Sequence, residues 1–337
     1  MSVFFDGAKI DTLHYDGSKI ASAYYDGAKV YQKNKIYGLD WKLVEVSSNH
    51  HINIGLAGPN NFVLGGGHKT TGTAARWTST NGTTWTVNNI SGYARVDIGE
   101  VGNNNFLLLV DIYLTSQASS GRQLITNANG LGGSLVNNIS GMFMYSFFYG
   151  GGLYLMSASQ YIYSSTNGTT WTQRGSVSNA SYPVQRFCYG NGVYVGIGEG
   201  YLVYSANGTT WTQYTTPSGT ANLKFTDIIF DGEKFIAVGW WNYLGRVITS
   251  TNGTTWTIRH NATTQCFGIG YAEGLYIVSL YNALLISNDG ISWTQYPTTG
   301  LFRLDRIEYG NGLFIGSGHY TQRNSADYGK IALLNYP

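Results

Sequence analysis

Ser79-Thr80-Asn81-Gly82-Thr83-Thr84-Trp85-Thr86 decides the fold, because the chain says it again and again. Near-copies run Ser165 to Trp171, Ser205 to Trp211 and Ser250 to Trp256, and Ser287-Asn-Asp-Gly-Ile-Ser-Trp293 is a looser version. The tryptophans step by 86, 40, 45 and 37 residues, so one copy has decayed within the first gap. Thr126-Asn-Ala-Asn-Gly-Leu131 keeps its Asn and Gly there but has lost the Trp. Repetition at a period of about 42 residues signals one large repeat domain rather than several unrelated ones.

Ahead of each phrase stands an apolar run, a Gly/Asn turn and a second apolar run. Seven such stretches occur, beginning at Ile54, Ile98, Phe147, Phe187, Ile228, Ile269 and Ile307. Each predicts a hairpin of two buried strands. Adding the strands on either side of the tryptophan turn gives four-stranded units that must bury their faces on one another, which radial closure achieves. The expected fold is therefore all-β: a seven-bladed β-propeller over residues 36–337. Trp41 lies 44 residues before Trp85, and the last unit has a strand at Ile331–Asn335 but no following tryptophan. Asp40–Val46 is accordingly expected as the outer strand of the last blade, so that the N-terminal side closes the ring without a free sheet edge.

Composition narrows the function. Among 337 residues, 15% are aromatic and 11% charged, with 45 Gly and 5 Pro, which suits short strands and tight turns. Net charge is +2 with no basic run, which argues against nucleic-acid binding. No apolar stretch reaches the roughly 20 residues of a spanning helix, and Met1-Ser-Val-Phe-Phe-Asp6 lacks the character of a signal peptide. Cys188 and Cys266 are expected as buried thiols, and His50, His51 and His68 lack the partners of a metal site. No cofactor is expected.

Residues 1–35 carry a second repeat with a period of ten: Phe5-Asp-Gly-Ala-Lys-Ile10, Tyr15-Asp-Gly-Ser-Lys-Ile20 and Tyr25-Asp-Gly-Ala-Lys-Val30. Asp-Gly between aromatic and apolar residues predicts small hairpins, which are marginal alone and need copies of themselves or a partner to pack on. This segment resembles the attachment segments of bacteriophage tail-tip and tail-fibre proteins. The resemblance implies a virion or extracellular protein whose first 35 residues dock to other tail proteins or trimerise. The tryptophan phrase, in turn, resembles the Asp-box of sialidase-type propellers, Ser-x-Asp-x-Gly-x-Thr-Trp, although Asn precedes Gly here with one residue fewer and only Asp289 restores the acid.

Strand order puts the tryptophan turns on one face and the irregular loops on the other, and irregular loops on a rigid scaffold are where ligands bind. Trp240, Trp241, Tyr243, Tyr281, Tyr320, Tyr201, His319, Glu199, Arg186 and Arg306 are the candidate glycan contacts. Aromatic rings stack on the apolar faces of sugars, while amides, carboxylates and guanidinium groups pair with hydroxyls. Trp240 and Trp241 stand out, since consecutive strand residues point to opposite faces. The first expectation is a non-catalytic binder of a host cell-surface glycan. A sialidase-like glycoside hydrolase is the alternative, with Arg95, Asp97, Arg186, Asp227, Arg303, Asp305 and Arg306 on the inner strands, and a structural scaffold is the third.

Overall fold

Alternating apolar residues joined by glycine turns leave each sheet with two faces to bury, and the sheets bury them on one another. The computed structural model divides into two units, residues 1–40 and 41–337. It describes short strands within 14–32 and most of 42–335. Segments 33–41, 69–72, 91–94, 113–120, 128–133, 138–143, 179–182, 298–302 and 319–329, with both chain ends and some shorter gaps, lie outside the described residues.

In the first unit, His14–Tyr15 pairs with Ser18–Lys19, and Ser22–Tyr25 pairs with Ala28–Gln32, both antiparallel. The hairpin expected at Phe5–Ile10 lies outside the described residues.

In the second unit, the strands form the antiparallel four-stranded sheets of a β-propeller. The count of seven blades expected from the sequence needs correcting. Among the described residues six blades, not seven, are built from four consecutive strands, over 50–90, 95–137, 144–176, 186–215, 224–262 and 266–297. The remaining four-stranded sheet is not a seventh copy of that unit. It joins Arg306–Gly310, Leu313–Ser317 and Lys330–Asn335 to Lys42–Glu45 from the far side of the sequence, with Ile331 opposite Val44. The physical reason is that Lys42–Glu45, which precedes His50 in the chain, fills the outer position beside Lys330–Asn335. Trp41, which suggests this closure in the sequence, is outside the described residues. First strands of successive sheets touch around the ring, which shuts where Arg306–Gly310 meets His50–Ala57.

The tryptophan turn is a compact hydrogen-bonded knot. Ser79 Oγ accepts the Gly82 N–H at 2.8 Å, Asn81 Oδ1 accepts the N–H groups of Thr83 and Thr84 at 3.0 and 2.9 Å, and the Trp85 indole donates to Gly82 O at 3.0 Å. Ser205, Asn207 and Gly208 repeat the serine and asparagine bonds, as do Ser250, Asn252 and Gly253. Asp289 does the same work in its copy, accepting from Ile291 and Ser292 at 2.7 Å each. Burial pushes its carboxyl up, but the N–H groups of Ser292 and Ile291, aided by the Ser287 and Ser292 side chains, outweigh that and hold it down to about 2.

The turn glycine also makes a contact between blades. Gly253 has φ +76°, and a Cβ there would lie 2.7 Å from Val195 Cγ2 of the preceding blade. Gly208 meets Leu153 and Gly82 meets Leu313 in the same way. Beneath these turns, Val195 and Ile197 pack with Phe235, Ala237, Ile248 and Trp256, and Leu313, Ile315 and Leu333 pack with Phe62 and Trp77 across the closure. Each large side chain fully buried there contributes roughly 1.5–3 kcal/mol. Gly253→Ala should therefore cost about 2–4 kcal/mol, combining backbone strain with overpacking. Gly274, with φ +82° and no atom within 4 Å of an added Cβ, should cost only about 1 kcal/mol as alanine. Urea denaturation of the two variants measures the difference.

Candidate functional site

Inner strands of the propeller enter the ring through bulges. Register breaks fall between Ile52 and Ile54, Val96 and Ile98, Met144 and Ser146, Phe225 and Asp227, and Cys266 and Ile269. A bulge inserts an extra residue and re-aims its side chain. All five lie at the same end of the inner strands, on the face opposite the tryptophan turns. Two of the residues they release, Thr226 and Phe267, line a pocket of about 350 Å³ at that end.

Trp240, Phe225 and Phe267 give the pocket its apolar surface. Polar groups come from Gln185 and Thr226, and charge from Arg186, Glu199, Lys224 and Asp305. The two lining cations therefore face two lining anions. Lys224 Nζ sits 2.8 Å from Glu199 Oε1 and 5.8 Å from the centre of the Trp240 ring. At this exposure the ion pair contributes at most about 1 kcal/mol to stability, so its consequence is to hold the ammonium beside the indole. Backbone bonds stiffen the same wall: Gly200 N–H donates to Leu223 O at 2.9 Å, and Glu199 forms a β-bridge with Lys224 between neighbouring blades. Arg303 Nε lies 2.7 Å from Asp305 Oδ1, with its guanidinium 4.3 Å over the Phe267 ring.

Beside the pocket Asp227 is buried, and Arg186 Nε stands 3.9 Å from its Oδ1. Burial wins over the opposing charges of Arg186 and Arg306 and the Ile269 N–H, leaving the carboxyl raised to about 6. Its oxygens are both engaged: Oδ1 accepts the Ile228 N–H at 3.0 Å and Oδ2 accepts the Ile269 N–H of the next blade at 3.1 Å. Asp227 thus rivets two blades. Ser317 Oγ does likewise for Gly55 N–H across the closure, and Ser279 Oγ for Leu304 N–H.

Of the residues singled out in the sequence, Arg186, Glu199 and Trp240 converge on this pocket. Trp241 and Tyr243 stand outside it at 50% and 72% exposure, and Tyr281 is exposed on the corresponding turn of the next blade. Arg306 is half-buried, with its Nε on Glu308 Oε1. Tyr201 is a core residue: the tight turn at Gly198 lets its ring lie where a Cβ on that glycine would be, and it packs with Leu155 and Val203. His319 and Tyr320 lie outside the described residues, and the side chains of Arg95 and Asp97 are likewise not described. Sequence reading misses Gln185, Lys224, Phe225, Thr226 and Phe267, the residues just upstream of the recognisable hairpins. Cys188 and Cys266 are buried free thiols. Among the described residues no group of three or more His, Cys, Asp or Glu is placed to hold a metal ion.

No family model and no curated protein matches the chain in sequence. In shape it is similar to a catalytically inactive variant of virginiamycin B lyase from Staphylococcus aureus, solved with quinupristin, at TM-score 0.67 and 11% identity, covering 88% of this chain and 100% of that one. The Pan2 WD40 domain of Neurospora crassa matches at TM-score 0.63 and 8% identity, covering 89% and 96%. The computationally designed Ika8 protein matches at TM-score 0.53 and 7% identity, covering 87% and 98%. At such identities the likeness establishes the β-propeller fold alone.

Asp227 gives the protein a pH signature. Its folded value near 6 lies above the roughly 3.9 of an unfolded aspartate, so the folded state binds more protons in between. Its contribution disfavours folding above pH 6, and that penalty of about 3 kcal/mol is relieved as pH falls from 7 to 4. Urea midpoints should rise over that interval, and Asp227→Asn should flatten the rise.

Proposed function

We propose that the propeller binds a carbohydrate on a host cell surface, without cleaving it, through the pocket opposite the tryptophan turns. One observation carries the reading: the partly exposed Trp240 ring and a balanced set of planar amide, carboxylate and cationic groups meet in one small concave site backed by the buried Phe225 and Phe267. The indole takes the apolar face of a sugar, and the polar groups take its hydroxyls. A pocket at the lower end of the usual range of about 300–1,000 Å³ suits a small ligand or the end of a larger one.

Residues 1–35 carry the second half of the proposal, a phage tail-type protein acting in the virion or outside the cell. The aromatic-Asp-Gly-x-Lys repeats supply short hairpins that need other tail proteins or two further copies of this chain to pack on. The Asp-box likeness of the tryptophan turns serves architecture in this scheme, since their side chains are spent on their own backbone.

A second reading, glycoside hydrolysis, draws on Asp227, whose raised carboxyl beside arginines has the character of a general acid. Against it stand the two backbone N–H groups that already occupy both oxygens.

Glycan-array binding tests the proposal. Trp240→Ala should weaken retention about tenfold or more, the loss of one aromatic stack and its packing. Release of reducing sugar that disappears in Asp227→Asn, with binding kept, would instead favour the hydrolase. Deleting residues 1–35 should leave glycan retention unchanged while abolishing self-association or incorporation into tail particles. A full-length chain that sediments as a monomer and joins no particle would remove the attachment role.

A further inference from the structure

Five two-residue turns among the described residues have positive φ at both positions. Four end in glycine: Gly151-Gly152, Asn191-Gly192, Glu273-Gly274 and Asn311-Gly312. The fifth is Asn242-Tyr243, with φ +48° and +65°. Such hairpins favour glycine because a Cβ crowds the backbone in the left-handed region, and a bulky aromatic there is an outlier. The molecule solves the same geometric problem four times with glycine and once with tyrosine.

Tyr243 gains nothing visible from the fold in return. Among the described residues it is the most exposed of the large apolar side chains, at 72%, and its neighbours Trp241 and Leu244 are exposed too. Trp241 pairs with Leu244 and Trp240 with Gly245, so the tip carrying Tyr243 is the direct continuation of the strand whose Trp240 lines the pocket. Alternation sends Trp240 and Trp241 to opposite faces of that strand, so one ladder of two strands presents aromatic rings both inside and outside the site.

Strain kept at an exposed position, with no packing to repay it, points to a ligand. We infer that the Trp241–Tyr243 tip is a second aromatic subsite, and that the ligand is a chain of several sugars with one end in the Trp240 pocket and its continuation stacked on the tip. This rests on the carbohydrate reading of the pocket. A small pocket and an external platform on one hairpin suit an oligosaccharide better than a single sugar.

The test compares single sugars with their di- to hexasaccharides on a printed array, using the full-length protein, Trp240→Ala, Trp241→Ala and Tyr243→Gly. Tyr243→Gly restores the residue that the turn prefers, so its melting temperature should hold or rise by a few degrees, which removes misfolding as an explanation. The wild type should bind chains more tightly than the matching single sugar. Tyr243→Gly and Trp241→Ala should each lose about tenfold on chains and leave single-sugar binding intact, the size of one aromatic contact. Trp240→Ala should weaken both. Equal binding of single sugars and chains, or chains bound undiminished by Tyr243→Gly, would overturn the subsite while leaving the pocket reading in place. Self-association abolished by Tyr243→Gly without any change in sugar binding would assign the tip to a second copy of the chain and overturn it equally. Retention of no sugar of any length would overturn both.

Discussion

Turn glycines in this ring stand hard against an aliphatic side chain of the sheet before them, and much else depends on that distance. Gly253 against Val195, Gly208 against Leu153 and Gly82 against Leu313 leave no room for a methyl group. A sheet can come that near only if the turn has no side chain at that point and its backbone polar groups are already satisfied. The Ser and Asn of the repeated phrase supply the second condition. Apolar faces then meet without orphaned N–H groups between them, and Phe235, Ile248 and Trp256 can be buried.

The side of the ring away from these turns is held differently. Single polar side chains reach across to the next sheet's backbone: Asp227 to Ile269, Ser317 to Gly55, Ser279 to Leu304. Such links leave open space between them where tight packing would not. Bulges on the inner strands turn Thr226 and Phe267 into that space, and the pocket forms there. One face is thus spent on cohesion, and the other carries the pocket.

How far the sequence can be read follows from which of these devices it advertises. Periodic Ser-x-Asn-Gly-Thr-Thr-Trp and alternating apolar runs announce sheets, turns and their order, and even the pairing of 42–45 with 330–335. Counting hairpins suggests seven blades, whereas among the described residues six are continuous and the last sheet is assembled from both flanks. Glu199, Arg186 and Trp240 are visible because they sit where strand order assigns the loop face. Lys224, Phe225, Thr226 and Phe267 are not, because a bulge breaks the two-residue period that tells inside from outside. Tyr201 misleads for a related reason: only the three-dimensional turn shows that Gly198 makes room for its ring.

The sheet that unites Lys42–Glu45 with Lys330–Asn335 also governs when the molecule can mature. Blades of four consecutive strands can assemble as soon as each leaves the ribosome, from mostly local contacts. The strand at 42–45 emerges early but must wait, unpaired, until nearly the whole propeller has been made. Its exposed edge is then a site for pairing with the wrong partner, and joining it to its true one is the most non-local step in folding. Synthesis in the company of chaperones, or beside sister chains at high concentration, would bear first on this one short strand.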